Sequence, residues 1–87
     1  MRLETKETEM DLPQQLYNEA FGPGVYRTPR SRAYEEGVMS ALVYRFNGER
    51  MSRPYEVGTA EADAWFAGTR EGHRRWRDWQ EKQAAAA

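Results

Sequence analysis

Cysteine is absent from this 87-residue chain, and histidine occurs once, as His73. Without cysteine there is no disulfide framework, no thiolate metal site and no cysteine nucleophile. A single histidine cannot supply a cluster of imidazole ligands. We therefore expect no bound metal and no cofactor. The lack of cysteine also fits a reducing cytoplasm.

Apolar sequence is scarce as well. Apolar residues make up 39% of the chain, the mean hydropathy is -1.00, and no apolar run approaches the length of a membrane span. The N-terminus lacks the apolar core of a signal peptide. Three tryptophans, five tyrosines and three phenylalanines supply large side chains for a thin core. These features predict one small cytoplasmic domain that does not enter a membrane.

Neither basic nor acidic residues are in clear excess, because the net charge is -1. Residues 1–24 carry two basic and five acidic side chains, whereas residues 25–79 carry ten basic and eight acidic ones. The net charge is thus -3 over residues 1–24 and +2 over residues 25–79. This excludes a general attraction of the whole chain to nucleic acid, but it allows a local basic patch.

The first half of the chain predicts a flexible arm and a short helix. Residues 1–10 are polar and show no hydrophobic period, so we expect an arm there. Asp11 is placed to cap a helix over about 12–21, and Pro13 suits its first turn. The Gly-Pro-Gly at 22–24 ends this helix.

A second helix is predicted over about 31–46, with Ser31 as its cap. Its second half is apolar almost all round, which leaves an alternative open. Asn47-Gly48 can end a helix, or it can form the tight turn of a β-hairpin over about 41–55. The sequence favours the helix without excluding the hairpin.

The third helix has the clearest pattern and is predicted over about 60–82. Acidic residues occupy its first turn, and its apolar side chains share one face. Residues 83–87 are expected to form a frayed tail. The predicted fold is therefore mainly α, a single small helical domain over 11–82 with a two-helix core and a short N-terminal helix.

Three glycines lie inside the two core helices, at 37, 68 and 72, where each costs about 1 kcal/mol relative to alanine. Glycine lets another backbone come close, so we expect the second and third helices to touch at these points. The predicted contact residues between the helices are Tyr34, Gly37, Trp65, Phe66, Gly68, Gly72 and Trp76. Trp79 comes last on the aromatic face and is expected to be the most exposed tryptophan.

Arg70, Arg74 and Arg77 form one ridge of the third helix beside its aromatic face. Arginine suits phosphate because its planar fork donates two hydrogen bonds at once, so the ridge can contact an RNA backbone. The alternative is a solvated face held by ion pairs four residues apart. Such pairs are available at 71 and 75, at 74 and 78, and at 77 and 81.

Catalysis has no specific support in the sequence. His73 lies at the edge of the apolar face, and no second group at a suitable spacing would orient it as a base. The glycine-containing segments lack the strand-to-helix loop with a following lysine that binds phosphate in many enzymes. We therefore expect a protein that is not an enzyme.

The chain resembles the ribosome modulation factor family and its phage-borne and plasmid-borne relatives. The resemblance covers about residues 31–77. It consists of Tyr34-Glu35-Glu36-Gly37 in a first helix, a Pro54-Tyr55 turn, and a helix reading Trp-x-x-Gly-x-Arg-Glu-Gly from Trp65. It implies two helices joined by a linker, and either ribosome binding or, in one branch of the family, antibiotic phosphotransfer.

The expected function is that of a small regulator of translation that binds the ribosome, RNA or another large host assembly, as a monomer or a homodimer. The expected binding residues are Arg53, Tyr55, Arg70, His73, Arg74, Arg77 and Trp79. The resemblance implies Arg53, Tyr55 and the three ridge arginines among them. The alternative is a phage or mobile-element module that inhibits a host protein complex by protein–protein contact. Aromatic and arginine side chains dominate such interfaces too.

Overall fold

The computed structural model describes residues 11–86, which form three helices. They are α1 (Leu12–Phe21), α2 (Arg32–Asn47) and α3 (Ala60–Ala86). The prediction of a small helical protein is confirmed. Helix α3 continues to Ala86, beyond the predicted end at about 82. The predicted arm at 1–10 lies outside the described residues.

Each helix begins with a side chain that caps its free backbone amides. The Asp11 carboxylate accepts a hydrogen bond from the Gln14 amide at 3.1 Å, and the Ser31 hydroxyl accepts one from the Tyr34 amide at 3.2 Å. The Thr59 hydroxyl accepts one from the amide of the third residue of α3, again at 3.1 Å. These caps explain why the helices start where the sequence predicts.

The alternative of a β-hairpin at 41–55 is wrong, because the favoured helix α2 runs through the first of its strands. Gly48 has a left-handed φ of 75°, and its amide donates to the Tyr44 carbonyl oxygen at 2.9 Å. Asn47-Gly48 therefore ends a helix rather than turning a hairpin. Residues 48–59 form a connector in which no strand occurs. The buried residues of α2, at 33, 37, 38, 41 and 42, are spaced as one helical face.

Helices α2 and α3 run parallel. Close contacts join Tyr34 to Gly68 near their beginnings and Phe46 to Trp79 near the end of α2. The connector must therefore return along the length of α2, about 24 Å for sixteen residues. Its twelve residues reach about 40 Å when extended, so they cover that distance easily.

Glycines 37, 68 and 72 lie where α2 and α3 come closest. A β-carbon on Gly37 would collide with the Trp65 carbonyl oxygen, and one on Gly68 would collide with the Tyr34 carbonyl oxygen. At Gly72 a β-carbon would stand 2.6 Å from the Val38 carbonyl oxygen. All three contacts are with backbone, which cannot move aside as a side chain can.

The core lies between the three helices. Leu16 of α1 packs against Val38 and Leu42 of α2, and the latter two are completely buried. Trp65 fills the first part of the α2–α3 interface, with 4% of its surface exposed. Because α1 covers only one side of this pair, the opposite side of α3 is left facing solvent.

Candidate functional site

The arginine ridge, Arg70, Arg74 and Arg77, lies on the solvent-facing side of α3. All three residues are exposed, and the seven-residue step from the first to the last corresponds to about 10 Å of helix. Within residues 11–86 none of the three takes part in an ion pair. The pairs that the sequence offered at 74 and 78 and at 77 and 81 do not form, whereas the pair at 71 and 75 does.

Several other arginines have partners elsewhere in the protein, some of them half-buried and one at the surface. Arg27 and Arg75 both bind Glu71, and Arg32 pairs with Glu36 at 3.2 Å. The Arg30 guanidinium stacks over the Tyr34 ring, 4.6 Å from its centroid. Arg27 and Arg75 thus help to hold the fold together at Glu71, unlike the arginines of the ridge.

A fourth arginine extends the ridge onto α2. The Arg45 guanidinium lies 4.4 Å from the centroid of the Trp76 ring, and Arg45 Nε donates to His73 Nδ1 at 3.0 Å. Burial lowers the pKa of His73 below its usual value, and the neighbouring charges of Arg45 and Arg77 lower it further. His73 is therefore neutral near pH 7, and its Nδ1 atom acts as an acceptor.

Two exposed aromatic rings border the ridge. Tyr44 of α2 is 44% exposed, and its ring meets the His73 ring edge-on at 6.3 Å. Phe66 is 38% exposed one turn before Arg70. Its ring meets the Trp65 ring of the same helix, with the centroids 5.3 Å apart.

Arg53 and Tyr55 lie apart from the ridge. The Tyr55 hydroxyl donates to Glu36 at 2.6 Å, and Arg53 Nε donates to the Tyr55 carbonyl oxygen at 2.6 Å. Tyr55 lines an open cavity of about 490 Å³ at the beginnings of α2 and α3, with Ala60 and Ala64 among its neighbours. The predicted binding residues are thus divided between two surfaces.

Trp79, which we expected to be the most exposed tryptophan, makes contacts with α2 and borders a groove beside α1. Its ring packs edge-on against Phe46 at 4.8 Å, and it is half-buried. It also lines a groove of about 350 Å³ between α1 and the last third of α3, together with Leu12 and Leu16. Trp79 therefore belongs to the packing between helices and not to the ridge surface.

Glu71 is a buried acidic residue whose role in joining the helices could not be predicted from the sequence. Only 3% of its surface is exposed, although it lies on α3 between ridge residues. Arg27 donates to both carboxylate oxygens, at 3.0 and 3.1 Å, and Tyr34 donates at 2.5 Å. Arg75 completes the cluster at 2.6 Å. The carboxylate thus connects α2, α3 and the segment between α1 and α2.

The pKa of Glu71 shows which effect prevails in this cluster. Burial alone raises the pKa of a carboxyl group, but the hydrogen bonds from Arg27, Tyr34 and Arg75 favour the charged form. The net result lowers the pKa of Glu71 from 4.5 to about 2. Because every partner of the carboxylate is a side chain of this chain, the cluster serves the fold. The spacing of Glu71 and Arg75 indicated a pair, yet it gave no sign of burial.

Other kinds of site find little support. No group of three or more histidine or acidic side chains within residues 11–86 is arranged to hold a metal ion. In the same range, no helix has both the length and the apolar character needed to cross a membrane. Comparisons of the chain with known protein families, with curated proteins and with solved structures found no match.

Proposed function

We propose that this chain is a non-catalytic regulatory protein that binds RNA, in the ribosome or another large assembly, through the arginine ridge. The observation that carries the proposal is the exposure of Arg70, Arg74 and Arg77 on one side of α3 without an ion pair in residues 11–86. Arginines that lack an internal partner keep their donors available for phosphate. The resemblance to the ribosome modulation factor family supports the ribosome as the assembly.

The near-neutral net charge sets the strength of such binding. With a net charge of -1 the chain gains nothing from long-range attraction, so affinity must come from the local contacts. Three phosphate contacts predict about a 20- to 40-fold loss of affinity between about 50 and about 200 mM salt. Binding should therefore be modest and clearly sensitive to salt.

Co-sedimentation with bacterial ribosomes in sucrose gradients tests the proposal. The wild-type protein should migrate with the small subunit or with ribosome dimers at low salt, and less of it should do so as salt rises. The double variant Arg70→Ala/Arg74→Ala should stay at the top of the gradient. The matched control is Arg50→Ala/Lys82→Ala, which removes the same charge from exposed positions outside the ridge.

The control should sediment like the wild type. Equal loss in both double variants would mean that net charge and not the ridge governs binding, and it would refute the site. Absence of the wild-type protein from the ribosome fractions at low salt would refute the ribosome as partner.

A protein partner, as for a phage or mobile-element inhibitor, is the second candidate. Tyr26 favours it, because its side chain is fully exposed on the segment between α1 and α2. Its neighbour Arg27 is held by Glu71, so the loop presents the ring from a fixed base. Binding centred on Tyr26 should change little with salt and should be lost in Tyr26→Ala.

A further inference from the structure

The surface around the ridge combines positive charge with exposed aromatic rings. The ridge surface comprises the three ridge arginines together with Tyr44, Arg45, Phe66 and His73. Tyr44 and Arg45 come from α2, and the parallel packing of the helices brings them beside the ridge at His73. Cations beside exposed ring faces form the usual surface for unpaired bases, because every base can stack on an aromatic ring.

We propose that the ridge surface binds a single-stranded RNA segment, with Tyr44 as a stacking platform for a base and Arg45 as a fourth phosphate contact. This inference rests on the proposed function and specifies its ligand. The Tyr44 and His73 rings are nearly perpendicular, with an interplanar angle of 86° and a centroid distance of 6.3 Å, and the Arg45 guanidinium lies 5.8 Å from the Tyr44 ring centroid. With 44% of the residue exposed, part of the Tyr44 ring is left open to a base beside these two contacts.

The acidic residues of α3 argue against a duplex. Asp63 and Glu81 project from the same side of the helix as the ridge, one before it and one after it, and both are exposed. A duplex is a stiff rod, so one that lay along the ridge would bring its phosphates against these carboxylates at both ends. A flexible single strand can leave the surface after about 10 Å. The bases of a duplex are also stacked inside it and cannot reach the Tyr44 ring.

Arg45 is suited to its role by the contacts it already makes. Its Nε atom is engaged by His73 and its plane stacks on Trp76, which together fix the orientation of the guanidinium. The terminal nitrogens form no hydrogen bond or ion pair within residues 11–86, so they remain available as donors. A guanidinium that is already ordered loses less side-chain entropy when it binds a phosphate.

The test is fluorescence anisotropy with one RNA strand in two forms. The probe is a labelled strand of about 12 nucleotides without self-complementarity, used alone and annealed to its complement. We expect the single strand to bind at least about 10-fold more tightly than the duplex. Tyr44→Ala should weaken single-strand binding by about 10-fold, as expected for one lost stacking contact. It should change duplex binding by less than about 2-fold.

Two further variants separate stacking from other roles of Tyr44. Tyr44→Phe keeps the ring and should bind within about 2-fold of the wild type. Tyr26→Ala removes a fully exposed tyrosine from outside the ridge surface and should have no effect. Because Tyr44 and Tyr26 are both exposed, Tyr44→Ala, Tyr44→Phe and Tyr26→Ala should all fold. Far-ultraviolet circular dichroism checks this. Phe66→Ala gives a second aromatic deletion at the other end of the surface.

Equal binding of both RNA forms would overturn the single-strand inference, and so would full single-strand binding by Tyr44→Ala. The proposed function would survive either result as long as Arg70→Ala/Arg74→Ala still abolished binding. If neither RNA form binds in a ridge-dependent way, both the inference and the RNA-binding function are wrong.

Discussion

Replacement of Glu71 by glutamine removes one charge from the cluster that joins α2, α3 and the segment between α1 and α2. Glutamine keeps the shape of the side chain and can still accept the hydrogen bond from Tyr34. It cannot neutralise the charges of Arg27 and Arg75, which bind the carboxylate at 3.0 and 2.6 Å. We expect Glu71→Gln to destabilise the fold, because a partly buried pair of arginines loses its counter-charge.

The magnitude follows from the pKa of the carboxylate. The difference between 4.5 in the unfolded chain and about 2 in the folded chain corresponds to about 3 kcal/mol, at about 1.4 kcal/mol per pH unit. Since folding lowers this pKa, the stabilisation is fully present above pH 4.5 and is lost as pH falls towards 2. The stability difference between wild type and Glu71→Gln should therefore be about 3 kcal/mol near neutral pH and below about 0.5 kcal/mol at pH 2.

Urea unfolding followed by circular dichroism measures this difference across the pH range. The matched control is Glu81→Gln, the same chemical change at an exposed position of α3, which should alter stability by less than about 0.5 kcal/mol. A Glu71→Gln protein as stable as the wild type at neutral pH would refute the reasoning. A stability difference that stayed constant down to pH 2 would show that lost shape or packing, and not charge, is responsible.

Two further predictions concern the helix contact and the histidine beside the ridge. Gly68→Ala should destabilise the fold by about 2 kcal/mol or more in urea unfolding, because the new β-carbon collides with the Tyr34 carbonyl oxygen. This holds although alanine is favoured over glycine in a helix by about 1 kcal/mol. A variant more stable than the wild type would contradict the close helix contact. His73 should titrate below 6.5 in NMR spectra, because burial and the charges of Arg45 and Arg77 disfavour its protonation, and Arg45→Ala should raise the midpoint. Since folding lowers the pKa of His73, stability should fall as pH drops below 6.5, and an unchanged midpoint in the Arg45 variant would refute the contact.

The positions of the helices are encoded locally. Asp11, Ser31 and Thr59 cap the helices through short-range hydrogen bonds, which depend only on neighbours in the chain. The hairpin alternative at 41–55 could not be excluded in the same way, because the apolar run and Asn47-Gly48 suit both structures. Packing of the α2 face against α3 decides between them, since a strand would break up that buried face.

Only part of the candidate site could be predicted from the sequence. The arginine ridge follows from helical spacing, because residues four and seven positions apart share a face. The absence of ion pairs at the ridge within residues 11–86 could not be predicted. Arg74 and Arg77 are each followed, four positions later, by an acidic residue that could have paired with them. The sequence also did not predict that Tyr44 and Arg45 of α2 would lie beside the ridge. This placement depends on α2 and α3 running parallel, which no local pattern specifies.

The sequence by itself determined where the three helices start, the amphipathic character of α3 and the row of arginines on its outer side, because each of these depends on residues within a few positions of one another. Only the tertiary structure decided the direction of α2 against α3, the burial of Glu71 and the composition of the ridge surface. The physical reason is that burial and electrostatic environment depend on distant residues. Glu71 is a buried ion-pair centre and not an exposed helix residue because Arg27 and Tyr34, 44 and 37 positions away, fold onto it.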